Sequence, residues 1–121
     1  MNTEVHYMYR DGSNYKNHHS IVFKGTLEGG ESSIEETNRQ IEQYCGGGTG
    51  SNFIASQVGF PEIFLWETGE YPFSPDDDHC WHEFNYVSLT SNEPDDPRTI
   101  QQVIEDFRKA SEEGWKEFNP E

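Results

Sequence analysis

From Pro75 to Phe84 the chain reads PDDDHCWHEF, which sets three aspartates, two histidines, a cysteine and a glutamate almost side by side. Imidazole and carboxylate are the usual ligands of zinc and related metals, and the same pairing serves as general base and acid. His79 and His82 lie three apart. On a helix that spacing puts both on one face; on a strand it puts them on opposite sides. The run Trp81 to Thr90 has the ring and β-branched content of a strand, which argues against one shared ion. No zinc-finger spacing and no His-Glu-x-x-His helix is present. A metal-dependent hydrolase would need His79, His82 and an outside ligand, or an acid/base pair of His82 with Glu83 or Asp78. The plainer alternative is a loop of solvated aspartates, a histidine satisfying a turn, and Trp81 and Phe84 in the core.

A second stretch, Arg10 to His19 (RDGSNYKNHH), offers the opposite chemistry. An anion is held by guanidinium, ammonium, hydroxyl and amide donors gathered around a turn. Arg10, Ser13, Asn14, Lys16 and His18 supply these types within ten residues, and Tyr15 can stack on a base. Against this stands an ordinary polar loop in which Arg10 pairs with a carboxylate. A third stretch, CGGGTGSN at residues 45 to 52, lacks the Lys-Ser/Thr of a phosphate loop and the Gly-x-Gly-x-x-Gly spacing. It reads as a flexible linker, so no cofactor is expected. Cys45 has no Cys-x-x-Cys partner and no evident base.

Charge separates these stretches. The 121 residues carry 23 acidic and 8 basic side chains, a formal net of -15. Arg10, Lys16 and Lys24 outnumber Glu4 and Asp11 in the first 25 residues; the remainder holds 21 acids against 5 bases. A surface that negative repels nucleic acid and anionic membrane. It suits a small anionic ligand held at the near-neutral head, or a protein partner with a basic face. No apolar run approaches the roughly 20 residues of a membrane span, the N-terminus has no signal-peptide pattern, and two cysteines suit free thiols in a cytoplasmic protein.

The length suits one domain. Eight Phe, six Tyr and three Trp favour a folded chain with a core built on rings, despite 31% hydrophobic residues. Val5 to Arg10 alternates as a strand, Asp11 to Asn14 is turn chemistry, and Ser20 to Gly25 reads as a second strand across a long loop. A middle helix is expected over 34–44 behind Ser32 or Ser33, after a break at Gly29-Gly30. A strand is expected over 53–58, and a short strand or buried turn over 63–66. Residues 67–79 read as loop. A C-terminal amphipathic helix is expected from Pro97, capped by Asp96, to about Phe118, with Ile100, Val103, Ile104, Phe107, Ser111, Trp115 and Phe118 as its stripe. Trp115 and Phe118 also suit contact with a second copy, and hence a homo-oligomer. The fold class is thus α+β, a small antiparallel sheet of about four to five strands with two helices.

Three blocks carry a resemblance: Tyr7-x-Tyr9-Arg10-Asp11-x-x-Asn14-Tyr15-Lys16, then Phe53-Ile54-Ala55-x-Gln57-Val58-Gly59-x-Pro61, then Asp77-Asp78-His79-x-Trp81-His82-x-Phe84. Together they resemble a group of small bacterial and phage proteins without an assigned activity. The resemblance implies that the three blocks belong to one compact domain. It also implies that the tyrosine-arginine loop lies near the histidine loop, so that Arg10, Lys16, His79 and His82 line one pocket. The expected function is a non-enzymatic binding protein, phage- or prophage-encoded, that sequesters a small anionic, nucleotide-like ligand. The alternatives are an acidic inhibitor imitating nucleic-acid charge, and the hydrolase above.

Overall fold

In a computed structural model of the protein, which describes residues 1–29, 32–47 and 50–121, the alternating N-terminal segment forms β1 (Asn2–Arg10). Thr3, Val5, Tyr7 and Tyr9 are buried on one side, while Glu4, His6 and Arg10 are half-buried on the other. β1 pairs antiparallel with β2 (Lys16–Phe23) on one edge and with β4 (His82–Thr90) on the other. A two-residue β3 (Asn52–Phe53) completes a four-stranded antiparallel sheet of order β2-β1-β4-β3. Between His6 and Tyr7 the β1–β4 register shifts, since His6 faces Tyr86 and Tyr7 faces Phe84. Asn85 is the extra residue of that bulge, a feature that bends a strand and increases its twist.

One face of the sheet packs on α2 (Ile100–Glu113). Val5, Tyr7, Phe23, Phe53, Phe60, Phe84 and Val87 join Ile100, Val103, Ile104 and Phe107 in one core cluster. The rings interlock: Phe107 lies 5.2 Å from Phe53 and 5.7 Å from Phe60, centroid to centroid. A smaller cluster of Tyr9, Phe64 and Leu65 extends the core under the hairpin. The helix α1 (Ser33–Glu42) lies by β4, whose Val87 N–H donates to Asn38 Oδ1 at 2.8 Å.

Several expected boundaries move, each for a physical reason. The hairpin loop is only 11–15, because Lys16 to Ser20 are already in β2. Those residues lie on an edge strand, where polar side chains face solvent. Residues 55–58 form a 3₁₀ turn rather than the expected strand, with Ala55 and Val58 buried three apart and Gly59 left-handed at φ 70°. The apolar run at 63–66 leads into a second such turn, Leu65–Thr68. The helix α2 starts three residues later than expected. Lys24 N–H donates to Arg98 O and Ile100 N–H to Lys24 O, so the chain there runs beside β2. Its cap is therefore Thr99, in a reciprocal box with Gln102, and not Asp96. Gly114, at φ 90°, ends it, so Trp115 and Phe118 fall beyond the helix. Gly30, and Gly48-Thr49 of the glycine-rich stretch, lie outside the described residues.

Candidate functional site

Two loops meet at the end of β1. The hairpin loop is shaped by its own aspartate: Asp11 Oδ1 accepts from the N–H groups of Ser13 and Tyr15 at 3.0 and 2.9 Å. Asn14 takes φ 71°, a left-handed conformation that asparagine tolerates. Gly12 N–H then donates to Asp77 O at 2.8 Å, and Ser13 Oγ donates to Asp77 Oδ2 at 2.8 Å. A Cβ on Gly12 would stand 3.1 Å from Asp77 Oδ1 and 3.3 Å from Asp77 Cα. The lack of a side chain at Gly12 thus eases the close approach of the two loops.

His79 is the strut between them. Its Nδ1 accepts from Trp81 N–H at 3.0 Å, so Nε2 carries the proton and donates to Arg10 O at 2.7 Å. Tyr9 OH donates to Asp78 Oδ1 at 2.6 Å and accepts from His79 N–H at 3.2 Å. Burial, then the bond to Asp78, raises the Tyr9 phenol well above its ordinary value. Asp78 Oδ2 also accepts Ser74 N–H at 2.8 Å. The aspartate run is therefore partly structural: Asp77 and Asp78 knit the loop to the hairpin, and Asp76 is exposed.

His82 is not in this pocket, contrary to expectation. It is fully buried on β4, its ring 5–6 Å from those of Tyr7, Tyr9 and Phe64. Nε2 accepts Ile63 N–H at 3.0 Å, while Nδ1 has no partner of ordinary hydrogen-bond geometry among the described residues. Burial holds its pKa down to about 4, with the nearby Cys80 backbone opposing and His79 assisting. Both His79 nitrogens are engaged and His82 is enclosed, so neither offers a lone pair to an ion. Among the described residues, no three His, Cys, Asp or Glu side chains gather around one point. Cys45 is no activated nucleophile, since burial and then Glu42 push its thiol up to about 12.

The strut leaves a cavity of about 440 Å³ beside it, lined by Arg10, Asp11, Gly47, Asn52, His79, Trp81 and Glu83. Arg10 Nε donates to Glu83 Oε2 at 2.9 Å and Nη1 to Asn14 Oδ1 at 2.6 Å, which fixes the guanidinium. Among the described residues no acceptor engages Nη2, and the side chain is 38% exposed. Lys16 is Arg10's cross-strand partner and is exposed, so the two cations share one face of the sheet. A second cavity lies on the other side of the histidine loop, against the C-terminal segment. Asp78, Glu117 and Glu121 supply all its charged side chains, so it does not suit an anion.

Of the expected ligand residues, the structure thus brings Arg10, Asn14 and His79 to one place, with Lys16 beside them. Ser13 turns to Asp77, and Tyr15 lies 4.9 Å from Tyr71 on the far side of the loop. His18 belongs to a groove on the open sheet face with His6, Ser20 and Tyr86. Sequence reasoning missed Trp81 and Asn52 as lining residues and read Glu83 only as an acid/base partner of His82. The alternation of β4 is a signal for Glu83, since it sets Glu83 and buried His82 on opposite faces; no signal marks Asn52. In comparisons with known proteins, no family model, no curated protein and no solved structure matches the chain.

Proposed function

We propose that this protein is a non-enzymatic binding protein whose ligand is small, anionic and nucleotide-like, held between the hairpin and the histidine loop. The observation that carries this reading is the fixed guanidinium of Arg10 at the wall of a cavity that also contains the Trp81 ring. Glu83 holds the guanidinium at Nε and Asn14 at Nη1, which leaves Nη2 to meet a phosphate oxygen. Trp81 supplies a face for a base. The volume falls within the range of small-molecule sites. Lys16 adds a second positive charge from the same side of the sheet. Titration calorimetry against nucleotides and cyclic dinucleotides tests this, with Arg10→Ala and Lys16→Ala as controls. Heat lost in the Arg10 variant supports the reading; no heat from any ligand removes it.

A second reading has its own observation. From Gln40 to Pro97 the chain carries eleven carboxylates and neither lysine nor arginine. All four arginines are tied to the protein's own carboxylates: Arg10 to Glu83, Arg39 to Glu36, Arg98 to Asp96 and Asp106, Arg108 to Glu105 and Glu112. Much of the acidic surface is left uncompensated, which favours capture of a partner with a basic face. Such capture weakens steeply with salt; a complex indifferent to salt counts against it.

A further inference from the structure

The strand β2 forms one edge of the sheet, and its protection is incomplete. Val22 N–H donates to Asp95 Oδ2 at 2.9 Å and Asp95 N–H donates to Val22 O at 2.8 Å. Lys24 is covered in the same way by Arg98 and Ile100. These bonds fix the phase of the strand: the backbone groups of even-numbered residues point away from β1. Lys16, His18 and Ser20 continue that row, and among the described residues no loop bonds to their backbone. The edge is capped at one end and open along the other.

The open part is unusual in its charge. From Gly12 to Leu27 the chain has no carboxylate, although the protein as a whole carries 23. Most of its surface repels a second copy of itself, and this edge does not. Exposed edges are commonly blunted by a lysine, and Lys16 stands at the end of this one. Antiparallel pairing of β2 with β2 of another copy about His18 sets Lys16 opposite Ser20 rather than opposite itself. The same register carries each Lys16 toward the Asp95 carboxylate that closes the other copy's edge, an attraction made twice by symmetry. A groove lined by His19, Ser20, Gly59, Pro61, Asp95 and the Arg98-paired Asp96 runs beside the edge and gives room for the added strand.

We propose that β2 is a self-association edge, at which two copies join through Lys16, His18 and Ser20 into one continuous eight-stranded sheet. Each of the residue pairs 16–20, 18–18 and 20–16 exchanges both backbone hydrogen bonds. The contact is narrow, so the dimer is weak and its population depends on concentration. This inference does not rest on the ligand reading above.

Sedimentation velocity of the whole chain from about 1 to about 200 μM, the range where weak dimers dissociate, tests the proposal. The expected result is a shift from one chain mass to twice that mass. His18→Glu, at an exposed position, sets two carboxylates face to face, and Lys16→Glu sets a carboxylate toward Asp95. Each is expected to weaken association at least tenfold, while Tyr86→Ser on the open face leaves it unchanged. Circular dichroism checks that the variants are folded. A wild-type chain that stays monomeric throughout overturns the proposal, and so does a dimer that both glutamate variants leave intact.

Discussion

The buried His82 ring is pinned to the segment that follows Pro61: its Nε2 accepts Ile63 N–H at 3.0 Å inside a cage of aromatic rings. A protonated imidazole has no lone pair for that bond, and its charge has no counter-ion in the cage. The folded pKa of about 4 lies below the ordinary 6.5 of the unfolded chain. The unfolded state therefore binds more protons between those values. Stability is full above about pH 6.5 and falls as pH drops toward 4. The shift corresponds to about 3 kcal/mol lost by the low end of that window. Urea unfolding at a series of pH values is expected to show this slope in the wild type. His82→Gln keeps an acceptor but does not titrate, and it is expected to lack the slope.

Arg98 is expected to be the most costly charged residue to remove. It donates to Val58 O and Gly59 O, pairs with Asp96 and Asp106, and lies 5.3 Å over the Phe23 ring. One side chain thus ties the 3₁₀ turn and the α2 entry to the core. Arg98→Ala leaves two carbonyls and Asp106 without the guanidinium donor and Asp96 with only the residue-98 backbone N–H, at a cost of about 3–5 kcal/mol. Arg98→Lys cannot reproduce the fork and recovers only part. Chemical denaturation reads both; a loss under about 1 kcal/mol in the alanine variant would contradict the assignment.

At Gly12 the expected effect is local before it is global. Valine there meets the Asp77 backbone, which cannot move away as a long side chain can. A cost of about 1–3 kcal/mol is expected, together with faster hydrogen exchange at the amides of residues 12 and 78. Unchanged exchange at both amides would mean that the loops do not depend on this close contact.

The sequence was most legible where a period meets a buried face. β1 shows it through Val5, Tyr7 and Tyr9, and α2 through Ile100, Val103, Ile104 and Phe107. It was least legible where burial is one-sided or absent. Asn17, His18 and His19 look like loop residues because an edge strand leaves them wet. The alternation of FIASQV gave way to a turn once Gly59 adopted a left-handed conformation and Val58 turned inward. For the site, the donor types around Arg10 were visible, but their bonds were not. Ser13 and His79 are spent on the fold itself, and only tertiary contact reveals it. His82 opens β4 and is buried in the core, while His79 lies in the loop before the strand, so the spacing between them did not reveal that they part.

Arg10 is the residue on which ligand capture depends, and titration calorimetry of the wild type and Arg10→Ala with a panel of nucleotides and cyclic dinucleotides reads its contribution. Removing a charge-assisted donor costs about 1.5–3 kcal/mol. Saturable binding by the wild type is expected, weakened roughly 10- to 150-fold in the variant. No binding of any member of the panel, or binding that Arg10→Ala leaves unchanged, would contradict the claim.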